Sequence, residues 1–388
     1  MGRSHGIRSR AASLALSVAI LGVAAGAASP AAWATGGIGL GPPSESNLVQ
    51  TMTAFLEERT AHLVSGGKSM GSASPIDRTA PLEGRSRSLG VVLDARCEAL
   101  RRHGEEYTRA STSVSIRGTD LIGDLMVVLA TESTRLDYRR IRGDEPPFTS
   151  FRFDHLFKFE RTEGGWRLAN QEPASPDGLM PITEAVPVAS DSLAVDPDGS
   201  SIDRAPGPLP DDTKLGSGGG EAGGVTPASI PVGLNYSAMV TYAVRYWDNY
   251  NAAYRNFAAN GGHGDCTNFI SQALRAGGWQ DVLGYYTWDS AWWYNSANQT
   301  YTWAGAENWS HFAPTRTTHL SNIWQMSIAD ILQFDFNKDG VMDHTMIVTK
   351  KTSNEIYMTY HTTDTLNRIL SSLQSLYANS AWWYSYRT

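Results

Sequence analysis

No aromatic residue occurs between Trp166 and Tyr236, ten of the eighteen prolines fall from Pro173 to Pro231, and Gly216 to Gly224 is rich in glycine. A stretch of this kind cannot bury a core. It reads as a linker over residues 173–234, stiffened by proline early and loosened by glycine late. The 388 residues are therefore expected to form two globular segments on either side of it.

The first residues read as an address. Arg3, Arg8 and Arg10 precede an apolar run from Ala11 to Ala28, and Ala32-Trp33-Ala34 places small residues where a signal peptidase reads them. Residues 1–34 are expected to be a signal peptide cut after Ala34, which makes the protein secreted; no other run is long enough to span a bilayer. The net charge of −7 falls to −10 without those three arginines, which argues against a nucleic-acid partner. Two cysteines, Cys97 and Cys266, are too few for a zinc ribbon or a disulfide-dense scaffold.

Between signal and linker, residues 44–172 carry first a helical and then a strand pattern. Leu48, Met52, Phe55, Leu56 and Leu63 fall at helical spacing from Ser44, and a second helix is expected from Leu89 to His103. From Tyr107 the period becomes two, through Val114 and Ile116, Leu125 to Thr131, Phe151 to Phe157, and Trp166 and Leu168 after Gly164-Gly165. Helices followed by an antiparallel meander give an α+β fold class. The pattern, with its closing run His155 to Gln171, loosely resembles the nuclear-transport-factor-like α+β roll. That resemblance implies a structural or binding role.

Chemistry concentrates after the linker, in residues 235–388, which hold ten of the twelve tryptophans. The run GGHGDCTNFISQALRAGG, Gly261 to Gly278, sets Phe269, Ile270, Ala273 and Leu274 at helical spacing from Cys266, with Gly277-Gly278 closing the pattern. Cys266 is thus expected in the first turn of a helix. Unpaired N–H groups there should lower the thiol pKa and hold an oxyanion, with the Cys266 N–H as one donor. A base is available further on, where Ile331–Phe336, Asp343–Lys350 and Glu355–His361 read as antiparallel strands. With a hairpin about Thr352-Ser353, residues whose numbers sum to 705 face each other, so His344 is expected opposite His361. His344 then serves as base and acid for Cys266 while His361 orients it, with Asp364 the alternative third residue.

Asp265, Asn268, Trp288, Trp293 and Trp309 are the candidate substrate contacts; the tryptophans from Trp279 to Trp309 are expected both to fill the core and, where exposed, to stack on sugars or side chains in a cleft. No metal and no cofactor are expected. Cys266, His344 and His361 lack the spacings of a zinc site, and DFNKDG, Asp335 to Gly340, has Met346 where a calcium loop needs Glu, so it reads as a β-turn.

An aromatic-rich stretch (Tyr250 to Phe257), DCTNFISQ (Asp265 to Gln272), Gly277-Gly278, a Trp-rich middle (Trp288 to Trp309), an acidic run ending in Asp-His (Phe334 to His344) and His361-Thr362 follow in order. Together they resemble the "putative amidase domain" family of secreted bacterial proteins, related to the papain-like cell-wall peptidases and amidases of the NlpC and CHAP kinds. The resemblance implies a papain-like cysteine hydrolase with Cys266, His344 and His361 as its set and a cell-wall peptide or amide as substrate. With no second apolar run long enough to span a bilayer, no membrane association is expected after signal removal. Two other readings stay open: a non-catalytic module that holds wall glycan or peptide, and transglutaminase-like acyl transfer by the same triad.

Overall fold

The computed structural model describes residues 41–64, 76–174, 179–184, 233–259, 264–377 and 380–388. The expected signal peptide, most of the linker and His263 lie outside these. No helix among the described residues is long and apolar enough to cross a membrane.

Helix α1 (Glu45–Ala61) starts at Ser44, whose side chain accepts from the Asn47 N–H, and it buries Leu48, Met52, Phe55 and Leu56. Helix α2 (Ala80–Arg102) begins nine residues before the expected Leu89, with proline in its first turn. Only Leu82 is buried in the stretch from Ala80 to Leu89, so the apolar period that marks the rest of α2 is missing there. Strands β1 (Tyr107–Ile122), β2 (Leu125–Tyr138), β3 (Phe148–Thr162) and β4 (Gly165–Pro173) follow as an antiparallel meander. Leu48, Met52, Phe55 and Leu56 of α1 pack on Val128, Phe157, Phe159 and Leu168.

After the linker come α3 (Tyr236–Tyr246), α4 (Cys266–Ala276), α5 (Tyr301–Ala304), α6 (Ala306–Phe312), β5 (Thr318–Leu320), β6 (Ile331–Asp335), β7 (His344–Lys351), β8 (Ile356–Tyr360), β9 (Asp364–Ile369), α7 (Leu370–Tyr377) and β10 (Trp382–Arg387). Every pairing among the strands is antiparallel. One face of this part of the sheet, with Ile331 and Ile347, meets Phe269, Ile270, Ala273 and Leu274 of α4 and the buried Trp279, Trp292, Trp303 and Trp309. The other face, with Phe334, Met346, Val348, Met358 and Tyr360, meets Leu370, Leu373 and Tyr377 of α7.

Both halves belong to one sheet, in the order β1-β2-β3-β9-β8-β7-β6-β10-β5, with β4 also on β3. The start of β3 pairs with β9 (Ser150 opposite Leu366, Phe151 opposite Thr365, Arg152 opposite Asp364), while its end pairs with β4. Tyr107, Tyr138 and Phe151 from the first half share a core with Tyr357 and Ile369 from the second. Residues 179–184, inside the expected linker, are also packed. Leu179 and Ile182 are buried, and Arg59 and Arg96 donate to the carbonyls of Thr183 and Glu184 at 2.7 and 2.6 Å.

The β7–β8 hairpin departs from the expected register. Its turn closes one position later, with the Thr352 N–H on the Glu355 carbonyl, and an irregularity between Val348 and Lys350 takes back half the difference. Ile347 therefore pairs with Thr359, and the facing numbers sum to 706. With this slip the β7–β8 pairing ends at Ile347 and Thr359, His361 lies beyond the end of β8, and the expected facing pair of His344 and His361 is not formed.

The seam contains a buried ion pair, Arg368 Nη1 to Glu105 Oε1 at 2.9 Å. Removing one partner strands the other charge away from water. Glu105→Ala is expected to lose about 3–5 kcal/mol in urea unfolding, and Glu105→Leu combined with Arg368→Met to regain most of it. A single-variant loss below about 1 kcal/mol would mean that the pair does not hold the halves together.

Candidate active site

Helix α4 is buried on every side from Cys266 to Leu274. Its polar residues are therefore matched individually: Ser271 donates to the Trp303 carbonyl and accepts from the Trp292 indole, at 2.8 and 3.1 Å. The helix stops where Gly278 takes a positive φ of 104°. Gly277 lies so close to α3 that a Cβ there would come within 2.2 Å of Met239.

Asp265 precedes Cys266 but does not cap the helix. Its Oδ2 meets His361 Nδ1 at 2.8 Å, and its Oδ1 accepts from the Phe257 N–H and the Asn268 amide, each at 2.9 Å. The Asp265 N–H donates to Thr362 Oγ1 at 3.0 Å. Gly264 is needed beside this contact, because a Cβ would stand 2.7 Å from the same oxygen. Thr362 itself has a φ of 77°, a strained value for a β-branched residue.

His361 follows β8 with its ring stacked on Phe269 at 3.9 Å and against Tyr250 at 4.3 Å. Its Nε2 reaches the Tyr246 carbonyl at 2.8 Å. A carboxylate and a carbonyl only accept, so the ring donates at both nitrogens and is an imidazolium. Burial opposes that charge, but Asp364 and Asp265 outweigh it and hold the pKa above the ordinary value. Asp364 accepts from the Tyr250 hydroxyl at 3.0 Å, and burial pushes its carboxyl up to about 6.

His344 opens β7, with its ring 5.2 Å from Tyr360 and 6.4 Å from Phe336. Its Nε2 is buried and has no hydrogen-bond partner among the described residues. Burial, with the nearby charge of His361, pushes its pKa down to about 3, so the ring is neutral at pH 7.

Cys266 Sγ lies 3.7 Å from Thr267 Oγ1 and beside the backbone of Thr345, the residue after His344. Its thiol pKa is raised, which corrects the expectation of a lowered one. Burial dominates, although the Thr267 hydroxyl and the backbone of Thr345 and Thr267 favour the thiolate. Both cysteines are free thiols.

The structure thus joins Asp265, His361 and Asp364 in one cluster and brings Cys266 beside Thr345. His361 does not orient His344, since both its nitrogens are engaged elsewhere. Two expected substrate contacts are corrected as well: Asp265 and Asn268 are buried, and Asn268 is occupied by Asp265, the Arg255 carbonyl and the Trp303 indole. Trp309 fills the core, Trp293 is half-buried with its indole on the Gly284 carbonyl, and Trp288 alone of the three is 54% exposed. Both oxygens of Asp335 accept from backbone N–H groups of Asn337, Lys338 and Gly340, closing the turn. Tyr250, Thr267, Thr345 and Thr362 were not among the expected site residues, although three of them stand next to Cys266, His344 or His361.

Residues 233–385 match the model of the family described as "Putative amidase domain". That range runs from just before α3 into β10 and includes all of the cluster. Two proteins of Bacillus subtilis strain 168 are similar to part of this chain. Uncharacterized protein YhbB is 34% identical over 117 residues, 29% of this chain and 36% of its own length. Uncharacterized protein YjcM is 32% identical over 151 residues, 37% of this chain and 34% of its own. The chain spans about a third of the length of these curated relatives. A crystal structure of the Kfla4162 protein from Kribbella flavida covers 33% of this chain and 95% of its own at 15% identity, with a TM-score of 0.19.

The neutral His344 makes a prediction for acid stability. Its folded pKa lies below the unfolded value near 6.5, so the stability it contributes is present above pH 6.5 and is lost as pH falls toward 3. Between pH 7 and 5 the wild type is expected to lose about 2 kcal/mol more than His344→Gln. Urea titrations of both proteins at each pH measure this, and parallel curves would place a charged His344 in the fold.

Proposed function

We propose that the protein is a secreted cysteine amidase that hydrolyses an amide or peptide bond of the bacterial cell wall, with Cys266 as nucleophile and His344 as its base. One observation carries this reading: a thiol in the first turn of a buried helix lies beside the strand that begins with a histidine whose Nε2 has no partner among the described residues. A cysteine-bearing helix packed on the strand that carries the histidine supports a papain-like arrangement. The match of residues 233–385 to an amidase family supports the amide bond. The wall as substrate and export of the protein rest on the basic and apolar start of the chain and on the family resemblance.

Burial keeps the thiol and the imidazole both neutral at rest. In the substrate complex the Cys266 proton passes to His344, whose ring in the resting structure packs on Tyr360 and Phe336, as the sulfur attacks the amide carbonyl. Catalytic hydrogen bonds often tighten only in the substrate complex. The first intrahelical bond of α4 runs from the Phe269 N–H to the Asp265 carbonyl, so the N–H groups of Cys266, Thr267 and Asn268 point out of the helix end, where an oxyanion forms. Collapse of the adduct breaks the C–N bond, and the proton on His344 goes to the departing amine. Water, deprotonated by the same imidazole, then hydrolyses the thioester and restores the thiol.

The test is release of new amino groups from purified wall by the full chain. Cys266→Ala and His344→Ala are each expected to lower that rate by about 10³-fold or more. Retention of the rate in Cys266→Ala would reject the nucleophile. Sedimentation of the protein with the wall, with no amine released by any variant, would favour a binding module instead.

A further inference from the structure

We propose that Gln333, Thr345 and Thr267 form a directed hydrogen-bond relay that aims one hydroxyl proton at the Cys266 sulfur, making Thr267 a catalytic residue and Thr345 and Gln333 positioning residues. The proposal rests on the reading of Cys266 as the nucleophile.

The direction follows from which atoms can only donate or only accept. Gln333 on β6 donates from Nε2 to the Ala306 carbonyl at 2.8 Å. A carbonyl accepts only, so this contact fixes the amide nitrogen at that end of the side chain. The same nitrogen lies 3.2 Å from Thr345 Oγ1, which must therefore accept there. The Thr345 hydroxyl proton is left for Thr267 Oγ1, 2.8 Å away. Thr267 accepts it, and its own proton is directed to Cys266 Sγ at 3.7 Å, a distance at which sulfur still accepts.

Among the described residues, no acceptor other than the Cys266 sulfur is left for that proton. Gln333, Thr345 and Thr267 are all fully buried, so water does not divide the chain of donors. Thr267 is the second residue of α4, ahead of the turn where a helical hydroxyl finds a carbonyl four residues back within its own helix. Its β-branch restricts χ1 to few rotamers, and the 2.8 Å contact with Thr345 Oγ1 selects between them.

The relay acts when charge develops. A neutral thiol is a weak acceptor, but the sulfur becomes a strong one as its proton leaves for His344, and the Thr267 bond then becomes charge-assisted. Once the thioester forms, the sulfur is neutral and the bond weakens again. The same donor steadies the sulfur as the thioester breaks and the thiolate departs. The relay thus favours the two charged moments of the cycle over the states between them.

The experiment reads the thiol itself, without any substrate. The full chain and its variants are alkylated with iodoacetamide across pH 6 to 11, and labelling of Cys266 is followed by peptide mass, which separates it from Cys97. Thr267→Val, close in shape, is expected to raise the midpoint by about one unit or more, slowing labelling on the rising limb about tenfold. Thr267→Ser keeps the hydroxyl and should titrate within a few tenths of the wild type. Thr345→Val tests the relay from the strand and should shift the midpoint in the same direction by less. It also stands in if Thr267→Val fails to fold. Midpoints unchanged in both valine variants, or an equal shift in Thr267→Ser, would overturn the relay. Shifts as expected, with no amide cleaved even by the wild type, would leave the relay standing and reject the amidase reading.

Discussion

The Asp265 carboxylate holds the catalytic end of the molecule together. An isolated carboxylate in a dry interior costs several kcal/mol, and it is retained only where donors surround it. Here the donors come from three separate segments: the Phe257 N–H before the helix, the Asn268 amide within it, and the His361 imidazolium beyond β8. The start of α4 is thereby fixed to the loop that follows β8. The Thr362 φ of 77° and the absence of a side chain at Gly264 follow from how closely those two segments approach. Cys266 inherits its position from this arrangement, being the next residue along the chain.

Much of the fold was legible because its periodicities are strong. The alternation after Tyr107 locates β1 to β4, and the three C-terminal strands around the hairpins lie within a residue or two of their expected ends. Cys266 at a helix start was legible from Phe269, Ile270, Ala273 and Leu274. The partners of that cysteine were harder to read. A hairpin turn one position later and an irregularity between Val348 and Lys350 change which residues share a face, and no local pattern in the sequence marks either. The sign of the Cys266 shift was also hidden, because a helix terminus favours the thiolate while burial opposes it, and burial depends on packing from distant segments.

The tryptophans show the same limit in another form. Their concentration left core and cleft both open without saying which ring does which, and Trp279, Trp292, Trp303 and the expected contact Trp309 are fully enclosed. Two of their indole N–H groups meet side chains of α4, Trp292 on Ser271 and Trp303 on Asn268. Large rings therefore pack on a helix that carries polar as well as apolar residues, and the hydrogen bonds of two of them satisfy Ser271 and Asn268 inside. Residue type announced the chemistry available, while the three-dimensional neighbours decided its use.

β3 is a strand with two allegiances, its first residues beside β9 and its last beside β4. The boundary suggested by composition, between residues 173 and 234, is therefore not a line along which the molecule comes apart. A chain beginning at residue 233 would carry the whole family-matched segment and still end its sheet at β9, with the backbone groups opposite Ser150 to Arg152 open to solvent. Such a bare margin invites pairing with another chain. The first half thus works as a built-in edge cover for the second, a role that requires no chemistry of its own.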